Sequence, residues 1–380
     1  MLRLLLMDAR RITYWDYIQV ESLLSLQGGV EGDESLLSDD EVMFIVVHQV
    51  DELWFKVAIR GLQSLRDLLS REPVPEQALS QAVRSVRRVE TVLRLAAEHF
   101  RLMETMTSRD YLDFRDGLLG ASGFQSAQLR EIELLLGLQE RQRIPYGAEE
   151  SYLKALERPE GGGSPALERV RRRLRDVEAH GSLRDVLERW LYRTPIQGSR
   201  PTDRDDEQRV TGFVEAFLAR HAEESRRVEE AMVRTASGEA EAARLRQRFE
   251  AARRDAARFL RAEDVPEPER PRRRRVRAAA LFIESYRELP LLAWPRELLD
   301  GLVALEQAFV IFRQRHARMV ERIIGRRVGT GGSSGVDYLD RTALRYRVLD
   351  ELWAVRALLL RRSALPELQR AASYGLPPEA

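Results

Sequence analysis

The chain has 380 residues, of which 44% are hydrophobic and 32% charged, and its formal net charge is +1. This is the composition of a globular protein, and a charge so close to zero creates no overall field for nucleic acid or an anionic membrane. The absence of cysteine excludes disulfides, iron–sulfur clusters and thiolate-ligated haem, so a bound metal would need His, Asp, Glu or Tyr ligands.

The apolar runs are short throughout the chain. None approaches the about 20 apolar residues of a membrane span, and the first residues are too short an apolar run for a signal peptide. The basic run Arg272–Arg275 has no interleaved aromatic residues and lies in a chain rich in arginine, which argues against nucleic-acid binding. We therefore predict a cytoplasmic protein without a membrane or nucleic-acid partner.

The first long helix is predicted over residues 38–69. Ser38 and Glu41 have the spacing of a capping box at its start. An apolar run with helical periodicity follows and contains Phe44 and His48. A histidine on such an aromatic-rich face either forms a hydrogen bond within the core or borders a flat ligand, and the spacing leaves both open.

Two further helices are predicted over about 77–106 and 123–136. Between them, Tyr111 and Arg115 are four residues apart and therefore lie on one side of a helical turn. A guanidinium in this position suits a two-pronged hydrogen bond to a ligand carboxylate. A salt bridge to a neighbouring aspartate explains the arginine equally well.

The middle of the chain is more polar. Its predicted parts are loops at 157–165 and 195–207, one or two exposed helices within 208–262, and a break rich in Pro and Arg at 264–277. We predict an all-α protein with a single helical domain over residues 1–380, in which the segment of about 145–275 is an elaboration.

The last long helix is predicted from about Pro295 to Gly325. Steps of three and four residues place one stripe of side chains on the same face: Leu302, Leu305, Phe309, Phe312, His316, Met319 and Ile323. A core-facing His316 must satisfy its ring nitrogens, either by a hydrogen bond to a core group or by binding a metal.

A glycine-rich segment, residues 329–335, follows this helix. It lacks the lysine that a phosphate-binding P-loop requires. Small and hydroxyl-bearing residues suit a loop that closes over a bound small molecule, although a simple linker has the same composition.

Four segments in this order resemble one family. Residues 44–54 are similar to the F-I-x-x-H-Q-x-x-E-L-W helix of tryptophan 2,3-dioxygenases, and residues 104–125 to their E-T-M-T…DFRD…ASGFQ stretch. Residues 312–316 and 329–335 resemble the W/F-R-x-R-H helix and the G-T-G-G-S-S-G loop. The resemblance covers about 10–136 and 278–356.

The resemblance implies a multi-helical bundle of the tryptophan/indoleamine dioxygenase type that binds haem b, active in its ferrous form. It implies that L-tryptophan reacts with O2, that the indole C2–C3 bond is cleaved, and that N-formylkynurenine forms. The alternative is a related haem oxygenase that inserts one oxygen atom into a substituted tryptophan in specialised metabolism.

The resemblance also implies roles for individual residues. His316 is expected to be the axial ligand of the haem iron, with Ser122 and Gly331 beside the cofactor. The substrate is expected to contact His48 through its indole N–H, Phe44 through its ring, Arg115 and Tyr111 through its carboxylate, and Thr330 through its ammonium group. The family is a homotetramer in which N-terminal residues reach the neighbour's site, and Tyr14, Tyr17 and Ile18 match that element.

Overall fold

The computed structural model describes residues 12–118, 120–144, 151–157, 162–325, 327 and 335–375. In these ranges the regular structure is helical apart from one isolated bridge, which confirms the all-α prediction. The α-helices are α1 (Tyr14–Ile18), α2 (Val20–Leu24), α3 (Asp39–Leu69), α4 (Glu76–Met103), α5 (Ser108–Arg115), α6 (Ala127–Leu136), α7 (Pro165–His180), α8 (Leu183–Arg193), α9 (Asp206–Arg234), α10 (Glu239–Leu260), α11 (Arg270–Ser285), α12 (Ala293–Ile324), α13 (Val336–Arg345) and α14 (Asp350–Leu358). No helix in these ranges is both long and apolar enough to span a membrane.

Helix α4 packs against both α3 and α12, and these three helices form the centre of the core. Glycines in α3 and α12 allow both helices to approach α4 closely. A Cβ atom built on Gly61 of α3 would lie 2.6 Å from Val89, and one built on Gly301 of α12 would lie 2.9 Å from Val86. A larger residue at either position would therefore push its helix away from α4.

The long helices lie close to their predicted positions. Helix α3 begins at Asp39, and the Ser38 hydroxyl accepts a hydrogen bond of 3.2 Å from the Glu41 backbone N–H. Helix α4 ends at Met103, three residues before the predicted end, because turns at residues 104–106 lead to the next helix. The stripe around His316 lies on α12 as expected, and its six apolar members are all buried.

The predicted break at 264–277 is wrong in its second half. Helix α11 begins at Arg270, with its proline in the first turn, where a missing N–H costs no hydrogen bond. The arginine run continues as helix because its buried members are paired. Arg275 binds Asp206, and Arg277 binds Asp264 and Glu351.

The other middle segments agree with the prediction. The polar segment 208–262 forms two helices, α9 and α10, that pack against each other. Residues 195–205 precede α9 without helical structure. Most of the predicted loop at 157–165 lies outside the described residues or forms the start of α7.

Candidate active site

A cavity of about 480 Å³ opens between α3 and α12, and its lining is mainly apolar. Helices α4 to α6 and α13 complete the wall. Both histidines singled out in the sequence line it, His48 from α3 and His316 from α12. The volume lies in the range of sites for small molecules and cofactors.

His48 is held by its own helix. Its Nδ1 lies 2.7 Å from the carbonyl oxygen of Phe44, one turn earlier. A carbonyl only accepts, so Nδ1 carries the proton, and in the neutral ring Nε2 is left as a hydrogen-bond acceptor. Burial lowers the pKa of His48, which favours this neutral ring. The Phe44 ring packs beside it, with centroids 4.2 Å apart.

His316 faces the same cavity from the opposite helix. Its ring stacks on Phe100 with a centroid distance of 5.3 Å, and Phe312 lies on the same side at 6.4 Å. Burial lowers the pKa of His316 to about 4, and His48 contributes to this shift. No hydrogen bond to this ring exists within the described parts of the chain, so the core partner, one of the two alternatives for His316, is not found there.

The surroundings of His316 are unlike a site for a bare metal ion. In the described ranges no three His, Asp or Glu side chains are grouped closely enough to hold an ion. One neutral imidazole in an apolar cavity can supply a single ligand to a metal that a bound cofactor brings with it.

Tyr111 and Arg115 lie on α5, on the same side of the cavity as Phe44. The Tyr111 ring is 6.2 Å from the Phe44 ring and lines the cavity. Burial raises the pKa of the Tyr111 hydroxyl, and the adjacent Arg115 opposes this shift. Arg115 is half-buried one turn further along α5, and it is not among the residues that line the described cavity.

Ser122 reaches the cavity at the start of a short 3-10 turn. Its hydroxyl accepts from the backbone N–H of Phe124, and the side chain of Gln125 accepts from the backbone N–H of Ser122. Thr330 and Gly331 lie outside the described residues. Gly335, at the end of the same segment, lines the cavity with a φ of +58°.

One end of the cavity is strongly basic. Glu133 of α6 is fully buried and is bound by three arginines: Arg130 at 2.8 Å, Arg143 at 2.7 Å and Arg313 at 2.8 Å. Although burial opposes it, these guanidinium groups hold the pKa of Glu133 well below its usual range. Arg130 and Arg313 both line the cavity, so this end suits carboxylates of a ligand.

Sequence reasoning assigned no role to this basic cluster. Arg313 stands in the R-x-R-H segment, three residues before His316. Helical spacing could therefore have placed it on the same side of the helix as His316. Nothing in the local pattern distinguishes Glu133 from the neighbouring Glu131. The charges meet only in the folded chain, because Arg130 and Glu133 lie on α6, Arg313 on α12 and Arg143 in the segment after α6.

Glu52 is a second polar residue that sequence reasoning missed. It lines the cavity one turn after His48 and accepts hydrogen bonds from the Ser126 hydroxyl and the Gln128 amide. Ser126 also caps the start of α6. Glu52 therefore fixes the segment that carries Ser122 against α3.

Tyr14, Tyr17 and Ile18 do not reach this chain's own cavity. They lie on α1 with exposed fractions of 72%, 79% and 43%.

Comparison with known proteins adds a finding that does not depend on this geometry. The family model described as tryptophan 2,3-dioxygenase matches residues 6–359. A tryptophan 2,3-dioxygenase of Sorangium cellulosum is 55% identical over 97% of this chain and 89% of its own length. A tryptophan 2,3-dioxygenase 2 of Ralstonia nicotianae is 54% identical over 97% and 99%. A third relative, of Alteromonas mediterranea, is 31% identical over 93% and 94%. This chain belongs to the tryptophan 2,3-dioxygenase family.

Proposed function

We propose that the chain is a haem-dependent dioxygenase that cleaves the indole C2–C3 bond of L-tryptophan with O2 and releases N-formylkynurenine. One observation carries the proposal: two neutral imidazoles face one apolar cavity from opposite helices, and they differ in their hydrogen bonds. The relatives are named for the dioxygenase reaction, and their names give no support to the alternative that inserts one oxygen atom.

The residues present fit a haem. His316 would be the axial ligand, because its ring makes no hydrogen bond in the described part of the protein and its low pKa keeps a nitrogen lone pair available. Arg130 and Arg313 would hold the two carboxylates of the macrocycle. Bound there, ferrous haem b supplies the oxygen chemistry.

The chain's own residues would bind and orient the amino acid. The Nε2 of His48 is a hydrogen-bond acceptor and suits the indole N–H, while the Phe44 ring packs on the indole. Arg115 and Tyr111 would bind the carboxylate, and Thr330 the ammonium group. Ser122 and Gly331 would lie beside the cofactor. Recognition of the carboxylate by Arg115 and Tyr111 would favour amino acids over indoles that lack this group.

Tyr14, Tyr17 and Ile18 would complete the site of a neighbouring subunit in a homotetramer. Their exposure supports this role, because three large apolar side chains on one short helix form a surface that a partner would cover. The reaction would take place in the cytoplasm, which fits a chain without cysteine.

The direct test is a single turnover with labelled oxygen. The purified protein, loaded with haem and reduced without air, is given L-tryptophan and then ¹⁸O2. We expect a product that has gained two labelled atoms and is N-formylkynurenine by mass. A gain of one atom would establish the alternative, and no product from haem-loaded protein would remove the proposed activity.

The substrate assignment has its own test. Arg115→Leu should raise KM for tryptophan by about 10- to 100-fold, the loss expected for a charged hydrogen bond, and leave the haem spectrum unchanged. Arg109→Leu, at an exposed position of the same helix, is the matched control. Equal KM values for the two variants would count against the carboxylate role.

A further inference from the structure

A titratable pair borders the cavity on a side that the proposed mechanism does not use. Asp51 lies on α3, one turn after His48, and its buried carboxylate lines the cavity. Its Oδ1 lies 2.8 Å from Nδ1 of His99 on α4. The side chain of His99 is 27% exposed, whereas that of Asp51 is 10% exposed. The pair therefore connects the solvent side of α4 with the cavity.

Asp51 is not one of the residues that the family motif defines. In the F-I-x-x-H-Q-x-x-E-L-W segment, Asp51 occupies one of the open positions, between the defined His48 and Glu52. Ordinary packing would place an apolar or neutral residue on this wall, because burying a carboxylate is costly without a partner. Burial raises the pKa of Asp51 to about 6, although His99 opposes this shift by its hydrogen bond and charge.

Other charged groups face the same space. Glu52 on α3 raises the pKa of Asp51 slightly further. Arg130 on α6 and Arg313 on α12 are permanently charged, and Glu133 between them stays ionised.

The remaining titratable groups of the cavity are uncharged near neutral pH. His48 and His316 are both neutral rings. Tyr111 on α5 and Tyr338 on α13 have raised pKa values and stay protonated near neutral pH. Asp51 is thus a cavity carboxyl whose burial favours uptake of a proton.

We propose that the Asp51–His99 pair couples reduction of the cofactor iron to proton uptake, so that the reduction potential of the holoenzyme depends on pH. This inference rests on the proposed haem site. When an external one-electron reductant converts ferric to ferrous iron, one positive charge in the cavity is lost. The Asp51 carboxylate then binds a proton more tightly and takes one from solvent by way of His99, which offsets the added electron.

The sign follows from linkage. Because the reduced state binds the extra proton, raising the pH disfavours reduction, and the potential falls. The reduction potential falls with pH only between the Asp51 pKa of the oxidised state and the higher pKa of the reduced state. Outside this window it does not depend on pH. One proton per electron gives at most about 59 mV per pH unit.

The test is a spectroelectrochemical titration of the haem-loaded protein from about pH 5 to pH 8, a range that brackets the titration of Asp51. We expect the native protein to show the sloping region. Asp51→Asn should be flat and should have a higher potential than the native protein at the alkaline end, because a negative charge has been removed. His99→Gln keeps a hydrogen-bond donor but loses the imidazole charge, so the sloping region should move to higher pH.

A matched control lies elsewhere in the chain. His180 is 3.1 Å from Asp176, a similar pair that does not line the cavity, and His180→Gln should leave the titration unchanged. A native slope retained in Asp51→Asn would overturn the proposal, as would a slope lost in His48→Gln instead. If Asp51→Asn binds no haem, the test depends on His99→Gln. A sloping region at the same pH as in the native protein would then overturn the proposal. A native protein that binds no haem would instead refute the proposed function.

Discussion

The two helices that border the cavity, α3 and α12, each present one histidine from an apolar stripe, yet they hold their rings differently. His48 donates to the carbonyl of its own helix one turn earlier, and its free nitrogen is an acceptor. His316 turns onto the Phe100 ring of α4 and makes no hydrogen bond in the described structure. The same residue on the same kind of helix face thus meets the different requirements of the two roles proposed above. A ring fixed by a hydrogen bond suits orienting a substrate, and an unbonded ring suits a metal.

The largest effect is expected from His316→Ala. If the α12 ring is the axial ligand, the variant should fold but retain no haem. The haem-to-protein ratio and the Soret absorbance after gel filtration measure this. Normal haem content in the variant would remove the ligand assignment. His180→Ala, at an exposed position on α7, is the control for losing a histidine as such.

The contact between α6 and α12 also depends on buried charges. Glu133→Gln should lower the free energy of unfolding by about 3–5 kcal/mol, because it leaves Arg130, Arg143 and Arg313 around a neutral group. Urea unfolding at neutral pH measures this. Glu131→Gln is the control and should cost less. Its partner Arg169 is half exposed and can be hydrated, and its other partner, Arg173, keeps a salt bridge to Asp176. Equal losses would contradict the special role of Glu133.

The same carboxylate predicts a pH dependence. The pKa of Glu133 in the folded protein is depressed below the ordinary 4.5. Its stabilisation is therefore complete above about pH 4.5 and is lost as the pH falls further. Below this pH, the unfolding free energy of Glu133→Gln should change less with pH than that of the native protein. An equal pH dependence in the two proteins would contradict this.

The α3 wall should respond more mildly. His48→Ala should keep its haem and lose about tenfold in kcat/KM, the value of one hydrogen bond to the indole N–H. Steady-state kinetics with tryptophan and the haem spectrum together measure this. Loss of haem in this variant would erase the proposed distinction between the two histidines.

The smallest effect is expected at the link between α3 and α6. Ser126→Ala removes the cap of α6 and a hydrogen bond to Glu52, and should cost about 1 kcal/mol of stability. Thermal unfolding measures it, with the exposed Ser108→Ala as control. A change in haem content would mean that this link also shapes the cofactor site.

Local patterns predicted much of the architecture and part of the site. The periodicity around His316 and the Ser38 start of α3 are properties of neighbouring residues, so they could be derived from the order of the chain. The arginine run at 270–277 was misjudged for the opposite reason. Its helix depends on Asp206, Asp264 and Glu351, which are distant in sequence.

The sequence by itself determined the helical class, the stripe that carries His316 and the ordered motifs of the family, because helix periodicity and caps act over a few residues. Tertiary structure alone decided that His48 and His316 share one cavity, that three arginines share Glu133, and that Asp51 meets His99. The physical reason is that burial and charge pairing depend on which helices pack together. The ionisation of a side chain is a property of that packing and is not encoded in its nearest neighbours.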